Sequence, residues 1–117
     1  MLNQHEKINY LEIPAKDLEK TKTFFKQIFG FTFTDYGPGY TAFDNAGIDG
    51  GFYQSDLNSS TSNGSSLIVF YSNDLEATLS KVTQFKGTII KEIFSFPGGR
   101  RFHFEDPNGN EFAVWGD

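Results

Sequence analysis

Hydrophobic and polar positions follow two patterns along the chain, one typical of strands and one typical of helices. Two short apolar segments, INYLEIP at 8–14 and LIVFYS at 67–72, have the β-branched and aromatic content of strands. Each precedes a segment in which apolar residues recur every three or four positions, which predicts an amphipathic helix. The predicted buried stripes are Leu18, Thr21, Phe25 and Ile28 in the first helix, and Leu75, Leu79, Val82 and Phe85 in the second.

Both predicted helices carry start and stop signals. Asp17 and Asp74 are suited to cap the helix N-termini, and each is followed by a Leu and then by a Glu that favours the positive end of the helix dipole. We expect the helices to end at Gly30 and Gly87, each in a left-handed conformation that closes the last turn.

The remaining residues of each half read as strands separated by turns. FTFTDY, YTAFD and GGFYQ complete the first half, and TIIKEIF, RRFHFED and EFAVW complete the second. The halves also repeat in sequence, since residues 10–33 align without gaps on 67–90. The identical pairs are Asp17 and Asp74, Leu18 and Leu75, Glu19 and Glu76, Thr21 and Thr78, Gln27 and Gln84, and Gly30 and Gly87.

This order predicts an α+β domain over residues 1–117, made of two tandem βαβββ modules. Module one spans 5–54, a linker spans 55–65, and module two spans 66–117. A lone module leaves one sheet face uncovered, so two copies are expected to form a curved mixed sheet around a cleft, with both helices outside. The Ser, Asn and Gly content of the linker predicts a flexible segment without structure. The alternative is an unrelated α+β sandwich with two halves similar by chance.

Composition narrows the possible functions. The chain has no Cys, which excludes disulfides, thiolate metal sites and a cysteine nucleophile. A net charge of −5 argues against nucleic-acid binding and weakly favours neutral or cationic small ligands. Fourteen Phe residues require a large core, an aromatic cleft or a buried dimer interface. Neither a signal peptide nor a membrane-spanning run is evident, so a cytoplasmic protein without a membrane partner is expected.

Two segments resemble the vicinal oxygen chelate superfamily, which includes glyoxalases, bleomycin-resistance proteins and extradiol dioxygenases. HFEDPNGNEFAVW is similar to its closing hairpin, and INYLEIPAKDLEKTKTFFKQIFGF is similar to its opening strand and helix. The resemblance covers nearly the whole chain apart from the linker, and is closest to the set related to lactoylglutathione lyase. It implies a duplicated βαβββ fold with a cleft between the modules, and a homodimer as the expected assembly.

The resemblance also implies four positions that hold a divalent metal in the family's enzymes, on the first and last strand of each module. Carried onto this chain, they fall on Tyr10, on Leu67, on Ala113, and near Gly51 or Tyr53. Aliphatic side chains cannot coordinate a metal, and a neutral phenol is a poor donor. We therefore predict no metal cofactor. The alternative is an unusual metal site formed by Glu12, His103 and Glu111.

Strand alternation, with those positions facing the cleft, predicts the ligand-binding residues. They are Tyr10, Glu12, Tyr53, Leu67, Val69, Tyr71, Glu111, Ala113 and Trp115. Aromatic and aliphatic side chains with a few polar groups suit a small organic ligand. The same aromatic residues equally suit the core of a dimer interface.

Glu12 is the candidate catalytic residue. A carboxylate desolvated among Tyr10, Leu67 and Trp115 could act as a base, whereas a carboxylate at the cleft rim would be solvated or paired with a cation.

The other charged candidates carry weaker signals. His103 suits an acid, a base or a ligand, or a structural role on a half-exposed strand. Arg100 and Arg101 suit a carboxylate-binding site or an ordinary hairpin. His5 has the opposite parity to Tyr10 and is expected at a frayed terminus.

Three functions fit these observations. The first is a metal-free protein that binds a small organic molecule, as bleomycin-resistance proteins do. The second is an enzyme of the same superfamily, a lyase, isomerase or dioxygenase relative, using Glu12 or a non-standard metal site. The third is a self-associating domain without catalytic activity.

Overall fold

The computed structural model describes residues 3–117 and divides the chain into two compact units, Met1–Asn58 and Ser59–Asp117. Each unit has the order strand, helix and three strands, so the predicted α+β fold of two tandem βαβββ modules is confirmed. The boundary between the units lies inside the predicted linker. Neither helix among the described residues is long and apolar enough to cross a membrane.

The first unit is a four-stranded mixed sheet with one helix packed on it. Strand β1 at one edge is parallel to β4, and β4 is followed across the sheet by the antiparallel strands β3 and β2. The elements in chain order are β1 (Tyr10–Ala15), α1 (Leu18–Phe29), β2 (Thr32–Asp35), β3 (Tyr40–Asp44) and β4 (Asp49–Gln54).

Helix α1 begins and ends as its sequence predicts. The side chain of Asp17 accepts a hydrogen bond from the backbone N–H of Lys20 at 3.0 Å, and Gly30 adopts a left-handed φ of 73°. The buried face of the helix packs on an aromatic cluster in which the ring of Phe25 lies 5.2 Å from that of Phe52. Phe31 and Phe43 complete this cluster, which accounts for much of the phenylalanine excess.

The second unit repeats this topology, with β5 parallel to β8 and then β7 and β6 antiparallel across the sheet. Strand β6 is longer than the predicted TIIKEIF segment and has two register shifts against β7. The elements in chain order are a 3₁₀ turn (Thr61–Asn63), β5 (Ile68–Tyr71), α2 (Leu75–Gln84), β6 (Thr88–Phe96), β7 (Gly99–Glu105) and β8 (Glu111–Gly116).

Helix α2 ends differently from the prediction. The left-handed residue is Lys86, with a φ of 72°, and not Gly87. The backbone N–H of Gly87 donates to the carbonyl of Val82 at 2.8 Å, and that of Lys86 donates to Thr83 at 3.2 Å. This pair of bonds is a Schellman motif, which places the left-handed residue one position before the residue that donates the longer-range bond.

The end of the predicted linker is ordered, so the expectation of a structureless segment is wrong for residues 59–65. Ser59 donates its backbone N–H to the side chain of Asn110 at 2.8 Å, and Glu111 donates its N–H to the carbonyl of Ser59 at 2.7 Å. A 3₁₀ turn at Thr61–Asn63 follows. Residues at and just before the start of β8 thus form hydrogen bonds with the linker, which the composition of the linker does not predict.

The DPNGN turn, which carried the family resemblance, is a buried hydrogen-bonded loop between β7 and β8. Asp106 accepts hydrogen bonds from the backbone N–H groups of Asn108 and Asn110, each at 2.9 Å. Burial raises the pKa of Asp106, although these bonds oppose the shift. The turn fixes where β8 begins and thereby places Glu111.

Candidate functional site

Each sheet has one face under its helix. The predicted site residues on the strands lie on the opposite face, called the open face below, although Glu111 and Ala113 of the second unit are buried there. In the first unit, Ile13 is buried on the helix side, while Tyr10 and Glu12 are exposed on the other side of β1. Glu12 is therefore solvated, not desolvated as its catalytic role would require. Tyr53 is half-buried on β4, on the same face, where it pairs with Tyr40.

A pair of phenols occupies this open face. The hydroxyl oxygens of Tyr10 and Tyr40 lie 2.6 Å apart. The ring of Tyr40 lies so close to Gly51 that a Cβ at that position would collide with the Tyr40 hydroxyl and ring. The sequence analysis did not predict Tyr40 as a site residue. Tyr40 is the first residue of β3, and its pairing with Tyr53 places it on this face.

The phenol pair is coupled to Glu12. Burial, followed by hydrogen bonds with Tyr10 and Glu12, raises the pKa of Tyr40 above its ordinary value of 10.0. The Tyr40 hydroxyl therefore keeps its proton. The 2.6 Å contact joins the two hydroxyls, and either one can be its donor. A phenol oxygen that donates its proton still has lone pairs, so the pair can accept a hydrogen bond from a bound molecule.

A surface depression borders the phenol pair. Two carboxylates, those of Asp44 and Asp49, lie on its wall with no Lys or Arg among them. The residues that line it are Tyr10, Thr34, Tyr36, Tyr40, Ala42, Phe43, Asp44, Asp49 and Gly50. Its electrostatic character favours a molecule that carries hydrogen-bond donors or a positive charge.

In the second unit, the predicted residues form neighbouring rows across β5 and β8. Val69 lies beside Ala113, and Tyr71 lies beside Trp115, with the two rings 5.0 Å apart in an edge-on arrangement. Val69 and Tyr71 are 44% and 57% exposed, whereas Ala113 is fully buried. Leu67 precedes β5 and is half-buried. This part of the face is apolar and aromatic, as the sequence predicts.

A buried acid and base stand beside that apolar row. Nδ1 of His103 lies 2.8 Å from a carboxylate oxygen of Glu111. The other oxygen of Glu111 accepts from the backbone N–H of Thr61 at 2.9 Å and from its hydroxyl at 2.8 Å. Burial acts to raise the pKa of Glu111, but the bonds from His103 and Thr61 outweigh it and lower that pKa. Glu111 is therefore an anion that orients the imidazole.

The remaining charged candidates are engaged locally. Arg100 forms an ion pair with Glu76 at 2.6 Å. The guanidinium of Arg101 lies 5.3 Å from the ring centre of Phe94 and 5.4 Å from that of Phe96, in cation–π geometry. His5 is exposed and lies outside the strands, as expected.

Three of the positions that the resemblance assigns to a metal ion do not fit one in this chain. The Tyr10 phenol is engaged in a hydrogen bond, Leu67 is aliphatic, and Ala113 presents a buried methyl group. Within residues 3–117, no three His, Asp or Glu side chains are grouped so that they could hold a metal ion. His103 and Glu111, considered above with Glu12 as an unusual metal site, bond to each other.

Comparisons with known proteins agree with this architecture. Residues 7–114 match the family described as the Glyoxalase/Bleomycin resistance protein/Dioxygenase superfamily. No curated protein sequence matches the chain.

Solved structures of low sequence identity share the fold. A glyoxalase-related enzyme from Fulvimarina pelagi is 12% identical, with 96% of this chain and 88% of that chain covered and a TM-score of 0.79. The fosfomycin resistance protein FosX from Listeria monocytogenes is 17% identical, with 97% and 95% covered and a TM-score of 0.79. A mutant of that FosX was solved with Mn(II) and 1S,2S-dihydroxypropylphosphonic acid; it is 18% identical, with 97% and 93% covered and a TM-score of 0.80.

Proposed function

The chain belongs to the Glyoxalase/Bleomycin resistance protein/Dioxygenase superfamily, and we propose that it binds a small organic molecule without a metal ion at the family's ligand positions. The observation that carries the proposal is the hydrogen-bonded pair Tyr10–Tyr40, which lies beside Glu12 on the open face of the first unit. It stands where a family enzyme would present its first metal ligand.

The hydrogen-bonding groups of the tyrosine pair indicate which molecules can bind there. Tyr10 offers an oxygen that accepts, and the depression beside it adds the carboxylates of Asp44 and Asp49. Both features favour a molecule with N–H or O–H donors, and a cation more than an anion. The aromatic rings of Tyr10 and Tyr36 supply apolar contact for the rest of the molecule. The proposed ligand is therefore a neutral or cationic organic amine or alcohol.

The FosX mutant of the same fold was solved with Mn(II) and a phosphonate. An anionic phosphonate would face two carboxylates in the depression described here. The donor set at Tyr10, Leu67 and Ala113 likewise supports a ligand held by hydrogen bonds, not by chelation of a metal.

A melting-temperature screen tests the proposal. The protein is heated with a library of amines, alcohols and antibiotics in the presence of EDTA, since a molecule that binds only the folded state raises the melting temperature. We expect stabilising compounds to come from the amines and alcohols. A hit is then titrated calorimetrically into the wild type, Tyr40→Phe and Tyr36→Phe.

The two tyrosine variants are a matched pair. Each variant loses one hydroxyl from a ring that lines the same depression, but only the Tyr40 hydroxyl is hydrogen-bonded to Tyr10. Tyr40→Phe is expected to weaken binding by about tenfold, equivalent to roughly 1.4 kcal/mol, while Tyr36→Phe binds as the wild type does. Equal losses in both variants, or binding only after Mn²⁺ is added, would refute the proposal.

We also propose that the chain forms a homodimer. Val69 and Tyr71 are exposed on β5, which is an edge strand of its sheet, and such apolar side chains favour contact with a second copy. Light scattering after size-exclusion chromatography should give twice the mass of the chain for the wild type. The double substitution Val69→Lys and Tyr71→Lys should convert the dimer into a monomer. A monomeric wild type would contradict this proposal without affecting ligand binding.

A further inference from the structure

Two carboxylates lie next to each other at one end of the first sheet. Phe43 of β3 pairs with Gly50 of β4, and the same register places Asp44 opposite Asp49, where the two strands meet their loop. Like charges in directly opposite positions of a sheet repel and destabilise it. Among residues 3–117, neither carboxylate forms an ion pair with a Lys, Arg or His side chain. A cation from outside the chain would relieve this repulsion.

The tyrosine pair lies on the same face of the sheet, one step further along β4. Asp49 pairs with Tyr10 of β1, and the hydroxyl of Tyr10 is 2.6 Å from that of Tyr40. The Tyr40 hydroxyl occupies the space above Gly51, which is two residues from Asp49 and therefore on the same face. At a rise of about 3.3 Å per residue, the hydroxyl pair and the carboxylates are set roughly 7 Å apart along the strand.

The depression that contains both groups has room for a small molecule. Its volume is about 580 Å³, which lies within the range of small-molecule sites, about 300–1,000 Å³. Its lining includes the short side chains of Ala42 and Thr34, which pair with each other across β3 and β2. Tyr10, beside Asp49, is 44% exposed, so its ring is accessible to a bound cation.

We propose that this depression binds an alkylated amino alcohol, whose hydroxyl donates to the tyrosine pair and whose ammonium group lies beside Asp44 and Asp49. The inference rests on the proposed function, because it specifies which ligand the metal-free site takes. A molecule of this class contacts both groups at once, whereas a simple amine or a simple alcohol contacts only one. Alkyl groups on the nitrogen carry part of the positive charge, and the ring of Tyr10 attracts them.

Three probes separate the contributions of the hydroxyl and the charge. Choline carries a hydroxyl and a quaternary ammonium group. The alcohol 3,3-dimethylbutan-1-ol has the same shape without the charge, and tetramethylammonium has the charge without the hydroxyl. Each probe is titrated into the wild-type protein in EDTA, and the dissociation constant is measured by ligand-observed NMR. We expect choline to bind about tenfold more tightly than either of the other probes.

Two variants locate the charge that the ligand contacts. Asp44→Asn and Asp49→Asn each keep the shape of the side chain and remove its charge. Each should weaken choline binding by about two- to fivefold and leave the binding of 3,3-dimethylbutan-1-ol unchanged. Asp35→Asn is the matched control, since Asp35 is a carboxylate of the neighbouring β2 that pairs with Lys22 and does not line the depression. This control variant should bind choline as the wild type does.

Equal binding of choline and either of the other probes would overturn the inference, as would equal effects of Asp35→Asn and Asp49→Asn on choline binding. In each case, binding of an amine or alcohol that still depends on Tyr40 would leave the proposed function standing. Absence of binding by all three probes also overturns the inference, and the wider screen of amines and alcohols then decides the proposed function separately.

Discussion

Nδ1 of His103 lies 2.8 Å from Oε2 of Glu111, and the two side chains are 2% and 5% exposed. They come from adjacent strands, β7 and β8, and their position is fixed by the DPNGN turn that joins those strands. Removing one partner of such a pair leaves the other buried without a suitable contact, which costs more than the pair itself contributes. The pair therefore contributes to stability.

Replacing Glu111 with Gln should lower the free energy of unfolding by about 1–3 kcal/mol, because an amide cannot accept every bond that the carboxylate accepts. Urea denaturation measures the loss. Glu105→Gln is the matched control, since Glu105 pairs with Glu111 across the strands but is only half-buried, and it should change stability by less than about 0.5 kcal/mol. Equal losses in the two variants would show that Glu111 is an ordinary surface carboxylate.

The stability difference between wild type and Glu111→Gln should also depend on pH. The pKa of Glu111 is lower in the folded protein than its ordinary value of 4.5, so the folded state favours the carboxylate. Its contribution is therefore complete above that value and is lost as the pH falls through the lower folded pKa. The difference in unfolding free energy between wild type and Glu111→Gln should shrink under acid conditions, and a constant difference would contradict the assignment.

Tyr40 should ionise above the ordinary pKa of a phenol. Its pKa is raised above 10.0 by burial and by its bonds to Tyr10 and Glu12, so the folded state favours the neutral phenol. The corresponding stability is complete below pH 10.0 and is lost as the pH rises towards the folded pKa. Ultraviolet titration should show a late phenol that is absent in Tyr40→Phe and present in Tyr36→Phe. A late phenol that persists in Tyr40→Phe would contradict the assignment.

Gly51→Ala should displace Tyr40, because the added Cβ would occupy the space of the Tyr40 hydroxyl. The ring can rotate away, so we expect a stability loss of about 1–3 kcal/mol together with loss of the Tyr10–Tyr40 contact and of ligand binding. Gly39→Ala is the control, since its Cβ would meet only Gln54 at 3.9 Å. Unfolding and calorimetry measure both effects; full binding by Gly51→Ala would show that the phenol pair is dispensable.

Thr61→Val tests whether the linker end supports the buried pair. The variant keeps the backbone bond to Glu111 and loses the 2.8 Å hydroxyl bond, so unfolding free energy should fall by about 0.5–1.5 kcal/mol. Thr61→Ser keeps the hydroxyl and should recover most of that loss. If Thr61→Val were as stable as the wild type, the hydroxyl bond from Thr61 to Glu111 would not contribute to stability.

Local sequence signals predicted the fold well because each is read from neighbouring residues. Asp17 and Asp74 cap the helices as expected, and the 3.6-residue periodicity identified the buried face of α1. In α2 it identified Leu75 and Val82, whereas Leu79 and the C-cap residue Phe85 are only half-buried and Thr78 is buried in addition. The predicted left-handed residue after α2 was Gly87, but the observed one is Lys86. The choice between closing motifs depends on where the last helical hydrogen bond forms, which the sequence does not specify.

Partners distant in sequence were the part that the sequence did not reveal. Alternation placed Glu111 on the open face, but the linker was read as structureless, so its bonds to Thr61 were missed. The contact of Tyr10 with Tyr40 depends on the register between β1, β4 and β3, and on the space above Gly51. Register comes from the pairing of strands, which a single sequence does not specify.

The central claim, metal-free binding through the Tyr10–Tyr40 pair, is tested most directly by one pair of titrations. The strongest amine or alcohol from the screen is titrated into wild-type protein in EDTA and again in excess Mn²⁺, with the heat of binding measured in each. We predict the same dissociation constant in both. Binding that is absent in EDTA and restored by Mn²⁺ would contradict the account.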